Sequence, residues 1–133
     1  MASNSYFFGL GRRKRATARV RLTSGKGGFT VNDKPAADYF SGSQHLLKEL
    51  EKPFLVLELK PDAYDISVKL HGGGHSSQVD AITLGLSKAL SELNNDYKPT
   101  LKRAGLLGRD PRERERKKAG YLSARKKRQY TKR

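Results

Sequence analysis

Apolar and polar residues alternate from Thr17 to Leu22. Ala18, Val20 and Leu22 share one face and Thr17, Arg19 and Arg21 the other, which predicts a half-buried strand displaying arginines. The loop Ser24, Gly25, Lys26, Gly27, Gly28 leads to a second alternating run from Phe29 to Asp33, so the two runs read as a hairpin. Pro35 can open a short helix containing Ala37, Tyr39 and Phe40. Leu46, Leu47 and Leu50 follow at helical spacing, with a break at Pro53. Phe54 to Leu59 is apolar and reads as a strand, and Tyr64, Ile66, Val68 and Leu70 alternate with Asp65, Ser67 and Lys69 as another. Val79, Ile82, Leu86, Leu90 and Leu93 form the stripe of a long helix. Ser77 with Asp80 marks its start and Asn94 with Asn95 its end. Strands separated by helices imply a two-layer α+β sandwich.

Composition narrows this to one modest core. Apolar residues make up 35% of the 133, below the roughly 45 to 50% of an average globular chain. The chain has no Cys, which removes disulfides, thiolate zinc sites and thiol nucleophiles together. No apolar stretch approaches the roughly 18 residues of a membrane span, and the first residues lack the order of a secretory signal, so a cytoplasmic protein is expected.

The net charge of +15, from 28 Lys and Arg against 13 Asp and Glu, is unevenly spread. Residues 1–21 hold six cations and no acid, residues 22–97 seven cations and ten acids, and residues 98–133 fifteen cations and three acids. A globular domain over 1–97 and a basic extension over 98–133 are therefore expected. The extension cannot offset its folding entropy alone. Its cations include Arg112, Arg116, Lys117, Lys118, Arg125, Lys126 and Lys127; with Arg15, Arg19 and Arg21 they call for a polyanion, and each neutralised phosphate adds about 0.7 to 0.9 to the salt dependence of binding. Tyr121 and Tyr130 among these cations favour RNA over duplex DNA. Asp110 as an N-cap, Pro111 at the first helical position and Glu113 paired with Lys117 predict a short helix up to Gly120. The thirteen residues beyond it can reach about 40 Å if extended.

Catalytic readings are weak. Gly72, Gly73, Gly74, His75, Ser76, Ser77 is a glycine turn before a helix, able to approach an anion, yet no Gly-Lys-Ser/Thr follows and the dinucleotide spacing is absent. His45, His71 and His75 have no carboxylates at ligand spacing, Glu113 and Glu115 sit among cations, and no cofactor is implied. A free RNA chaperone and a small-molecule kinase are the rival readings of the tail and the glycine turn.

Four separated segments, FFGLGRRKRATARVRL, GGGHSSQVDAITLGLSKAL, LKRAGLLGRDPRERERKKAG and RQYTKR, together resemble bacterial-type small-subunit ribosomal protein nine. The resemblance implies the fold of the second domain of small-subunit ribosomal protein five: a four-stranded sheet with two helices on one face, carrying here an extended basic C-terminal tail. It further implies a non-enzymatic structural role in the head of the small subunit, bound to the 3′ major domain of its rRNA beside neighbouring head proteins, with no homo-oligomer. The tail is then expected to reach the anticodon stem-loop of P-site tRNA. By the same resemblance, Arg12, Arg13 and Lys14 form an rRNA-contacting run. Gly72, Gly73, Gly74 and Gln78 are the glycine turn and helix start, and Lys102, Arg103, Gly105, Arg109 and Asp110 begin the extension. Arg128, Gln129, Tyr130, Thr131, Lys132 and Arg133 correspond to the tRNA-proximal tip. Arg128 stands where bacterial members commonly have Pro, and Tyr130 and Thr131 where they have Phe and Ser.

Overall fold

The computed structural model describes residues 6–113, 115–127 and 129. A single mixed sheet runs in the order β1 (Phe7–Arg13), β2 (Ala16–Ser24), β5 (Tyr64–His71), β3 (Phe29–Val31) and β4 (Lys34–Pro35). The helices are α1 (Ala36–Tyr39), α2 (Gln44–Val56), α3 (His75–Leu93) and α4 (Tyr97–Arg103). The α+β reading holds, and alternation on β2 and β5 is as read: Ala18, Val20, Leu22, Ile66, Val68 and Leu70 are buried while Arg19, Arg21, Ser67 and Lys69 are exposed.

Five strands replace the expected four, and two assignments change. Phe54 to Leu59 is not a strand, because α2 continues through Pro53 to Val56. Leu47, Leu50 and Phe54 keep one helical face, and burial of Leu50 and Phe54 outweighs the hydrogen bond that proline forfeits. Phe7–Arg13, in contrast, is a strand, pairing antiparallel with β2 from Phe7↔Leu22 to Arg13↔Ala16. Its inward positions Gly9 and Gly11 hide the alternation, since neither has an apolar side chain. They are glycine because α3 lies directly on them: a Cβ at Gly9 would stand 1.8 Å from the carbonyl oxygen of Gly85, and one at Gly11 1.7 Å from that of Ala81.

The predicted β2–β3 hairpin does not form either. β5 lies between the two strands, antiparallel to β2 and parallel to β3. Asp65 of β5 redirects the intervening loop: its Oδ1 accepts from the backbone N–H groups of Lys26 (3.0 Å) and Gly28 (2.9 Å), and Ile66 N–H then donates to Gly28 O at 2.7 Å. The true hairpins are β1–β2 and β3–β4. The latter turns at Asn32 and Asp33, both with positive φ (50° and 69°), and supplies the fifth strand.

The helices cover one face and the other stays open. α3 packs along β1 and β2, α2 packs on α3, and Phe54 stacks on Tyr64 at 5.9 Å. α3 begins at His75 after Gly74, two residues before the predicted Ser77, and uses no side-chain cap. Its buried Thr83 and Ser87 hydroxyls donate to the carbonyls of Val79 (2.9 Å) and Thr83 (2.8 Å), so no polar group is stranded there. The core also takes in Leu101 of α4 and Leu106, both beyond residue 97, so packed structure continues into the basic extension.

Candidate nucleic-acid interface

One end of the molecule gathers residues from four parts of the chain. The β1–β2 turn presents Lys14, at φ 51°, and Arg15. The glycine turn docks against it: Gly72 and Gly73 have φ of 76° and 72°, and a Cβ on Gly72 would meet Arg15 O at 2.5 Å, one on Gly73 the Ala16 Cβ at 2.8 Å. Gly74 faces open space and caps α3. Lys14, Arg15, Gly73, Gly74 and Ser77 line a hollow of about 710 Å³ together with Arg116 and Lys117 from the basic extension, with Glu113 and Glu115 on its wall. Four cations thus surround the N-terminus of a 19-residue helix, whose unpaired N–H groups favour an anion.

Gln78 lies behind this end and does not reach the surface. It is buried, its Nε2 donates to Gly72 O at 3.1 Å and its Oε1 accepts from the Tyr39 hydroxyl at 3.2 Å, so it braces the turn. The predicted run Arg12, Arg13, Lys14 is divided by strand alternation. Arg12 and Lys14 are exposed, whereas Arg13 turns to the helical side, its side chain 15% exposed. There it pairs with Asp80 of α3 at 3.7 Å and Asp110 at 3.6 Å and donates to Arg112 O, clasping the extension to the domain.

The predicted helix from Asp110 to Gly120 is absent among the described residues. Asp110 makes a local turn: its carboxylate accepts from Arg112 N–H at 2.9 Å and from the Arg112 guanidinium at 2.6 Å. The side-chain and backbone hydrogen bonds from Arg112, with Arg13 adding attraction, hold the Asp110 carboxyl far below the ordinary carboxylate range. The same pair raises the Arg112 guanidinium.

Nor is the segment beyond Gly120 stretched out. Tyr121 bridges Lys127, Leu122 N–H donates to Lys126 O at 2.8 Å, and Glu115 accepts from Lys118 and Arg125, each at 2.9 Å. Those two cations lower the Glu115 carboxyl. Opposite charges within the segment draw it back on itself, which counting net charge alone does not reveal.

The remaining predicted residues are scattered. Lys102 and Arg103 are exposed in the last turn of α4, where cations complement the helix dipole, and Arg109, Arg112, Arg116, Lys117, Lys118, Arg125, Lys126 and Lys127 are all exposed. Arg19 and Arg21 stand on the open sheet face. Gln129 is exposed; Arg128, Tyr130, Thr131, Lys132 and Arg133 lie outside the described residues. His71 is on the open face and His75 packs edge-on to Phe40 at 5.5 Å, with His45 apart at the start of α2. Among the described residues no cluster of His, Cys, Asp or Glu could hold a metal ion, and no helix is long and apolar enough to cross a membrane. Sequence reasoning missed the inward turn of Arg13, for which the signal was its odd-numbered register with Gly9 and Gly11. It also missed the aromatic rings of Tyr6 and Phe8 on the open face.

Cations from two separate segments, the β1–β2 turn and the basic extension, thus surround a helix terminus on a small α+β domain, the arrangement of a polyanion-binding surface. A model of the Ribosomal protein S9/S16 family matches residues 11–133. The chain belongs to that family, whose members are structural components of the small ribosomal subunit.

Proposed function

We propose that this chain is the bacterial-type small-subunit ribosomal protein nine and holds rRNA of the 3′ major domain in the subunit head. The contact runs through Lys14, Arg15, Gly73, Gly74, Arg116 and Lys117, extended by the other surface cations of the two basic segments. The convergence of those six residues on the α3 N-terminus is the observation that carries this reading. Phosphates would be bound there by fixed N–H groups and flexible cations together, without base readout.

The cationic end of the chain, from Arg128 to Arg133, is proposed to lie beside the anticodon stem-loop of P-site tRNA in a cytoplasmic ribosome, contributing charge and no catalysis. Small subunits reconstituted with a chain truncated after Ser123 test this. Assembly should proceed and P-site tRNA should bind less tightly; unchanged tRNA affinity and translational fidelity overturn the tRNA part. For the rRNA part, the double variant K14Q/R15Q should weaken binding to the rRNA fragment and lower the salt slope by about 1.4 to 1.8, the sum for two phosphates.

A further inference from the structure

The sheet face away from the helices has its own chemistry. Strand alternation brings Phe8, Leu10 and Arg12 of β1, Thr17, Arg19 and Arg21 of β2, and Ser67, Lys69 and His71 of β5 to that side. Tyr6 continues the β1 alternation. Register places Phe8 beside Arg21, Leu10 beside Arg19, Arg19 beside Lys69 and Thr17 beside His71. Two aromatic rings stand in the open, Tyr6 48% and Phe8 40% exposed, and the Arg21 guanidinium lies 4.9 Å from the centre of the Tyr6 ring. Next to them Arg12, Thr17, Arg19, Lys69 and His71 line a depression of about 470 Å³. The acids nearby do not neutralise the face. Asp65 is held by the loop N–H groups, and among the described residues Asp33 pairs with Lys69 alone, at the far edge and 3.5 Å away.

We propose that this face is a second RNA contact, separate from the glycine-turn end, and that it takes unpaired nucleotides. Bases stack on Phe8 and Tyr6, and the phosphates that follow them run over Arg21, Arg19, Arg12 and Lys69. This rests on the RNA-binding reading above and adds to it the class of RNA and the surface. Charge complementarity demands a polyanion, and the rings decide which one. A duplex keeps its bases stacked on each other and offers mainly phosphates, and a run of acidic side chains offers carboxylates but no aromatic rings to stack on Phe8 and Tyr6. Unpaired RNA supplies both at once. Arginines two residues apart on β2 stand about 7 Å apart, so they present charge as a row along an extended backbone.

The test uses the full chain with two labelled probes of equal length, an oligouridylate single strand and a blunt RNA duplex. F8A should weaken single-strand binding by roughly 5- to 160-fold while leaving duplex binding unchanged. R19Q/R21Q should lower the single-strand salt slope by about 1.4, the sum for two phosphates. Y6L, placed before β1 begins, repeats the stacking test where no strand residue is altered, and circular dichroism checks that each variant is folded. Unchanged single-strand affinity in both F8A and Y6L, or equal losses on both probes, overturns the proposal while the rRNA reading stands. Competition by polyglutamate that is abolished by R19Q/R21Q but untouched by F8A and Y6L identifies an acidic protein as the occupant and overturns it as well. Binding of the unaltered chain to neither RNA overturns both readings.

Discussion

Gly11 of β1 offers the most direct check on how the sheet and α3 meet. Alanine there would place its Cβ 1.7 Å from Ala81 O, 2.6 Å from Gly85 N and 2.8 Å from Ala81 C, all of them backbone atoms of α3. No side chain can swing aside, so β1 and α3 must separate by roughly 1.5 Å to restore ordinary contact. That movement opens the interface along which α3 covers β1 and β2 and exposes parts of Val20, Ile82 and Leu86, which are now fully buried. Overpacking against flexible neighbours costs about 1 to 3 kcal/mol, and a rigid backbone neighbour puts G11A at or above the upper end, roughly 3 kcal/mol. Against a typical stability of about 5 to 15 kcal/mol this is a large fraction, equivalent to a fall in Tm of roughly 10 °C. Thermal and urea unfolding followed by circular dichroism measure it. G108A is the control, since nothing lies within 4 Å of that position and its φ is not in the left-handed region; it should stay within about 0.5 kcal/mol of the parent. A G11A protein as stable as G108A would refute the direct contact of β1 with α3.

Two other expectations follow from the extension. L101A should destabilise the whole domain by about 2 to 5 kcal/mol in one cooperative transition, because Leu101 is fully buried in the common core; a loss under about 0.5 kcal/mol in urea unfolding would contradict that packing. Asp110 and Glu115 are both lowered from their ordinary values of 3.8 and 4.5, so the order they confer is complete above those values and is lost as pH falls through their lower folded values. Carboxyl carbon shifts followed by NMR should titrate below the ordinary values for both residues, with the Arg13 clasp opening only in strong acid. A Glu115 midpoint at or above 4.5 would contradict the Lys118 and Arg125 pairing.

Legibility in the sequence tracked how local the determining interaction is. The β2 and β5 alternations, the α3 stripe and the basic ends depend on side-chain type at fixed spacing, and each was readable residue by residue. β1 was not, because Gly9 and Gly11 owe their identity to backbone atoms of a helix some seventy residues later. The strand reading of Phe54–Leu59 failed for a similar reason, since Leu50 and Phe54 find their burial only once α3 lies beside α2. At the candidate interface the cations were visible in advance, but their grouping was not. Arg13 differs from Arg12 and Lys14 only in which side of β1 it occupies, and that places it against Asp80 and Asp110.

By itself, then, the sequence determined the inventory: a nearly neutral core-forming middle, two cationic segments, one long amphipathic helix and an overall demand for a polyanion. These follow from composition and short-range periodicity, which need no partner to be expressed. The tertiary structure alone decided the insertion of β5 between β2 and β3, the docking of the glycine turn on Arg15, the clasp of the extension by Arg13, and the opposite faces taken by Arg12 and Arg13. Each of these is a contact between residues distant along the chain, and such contacts are selected by which surfaces can be buried together, a choice that exists only once the layers have packed.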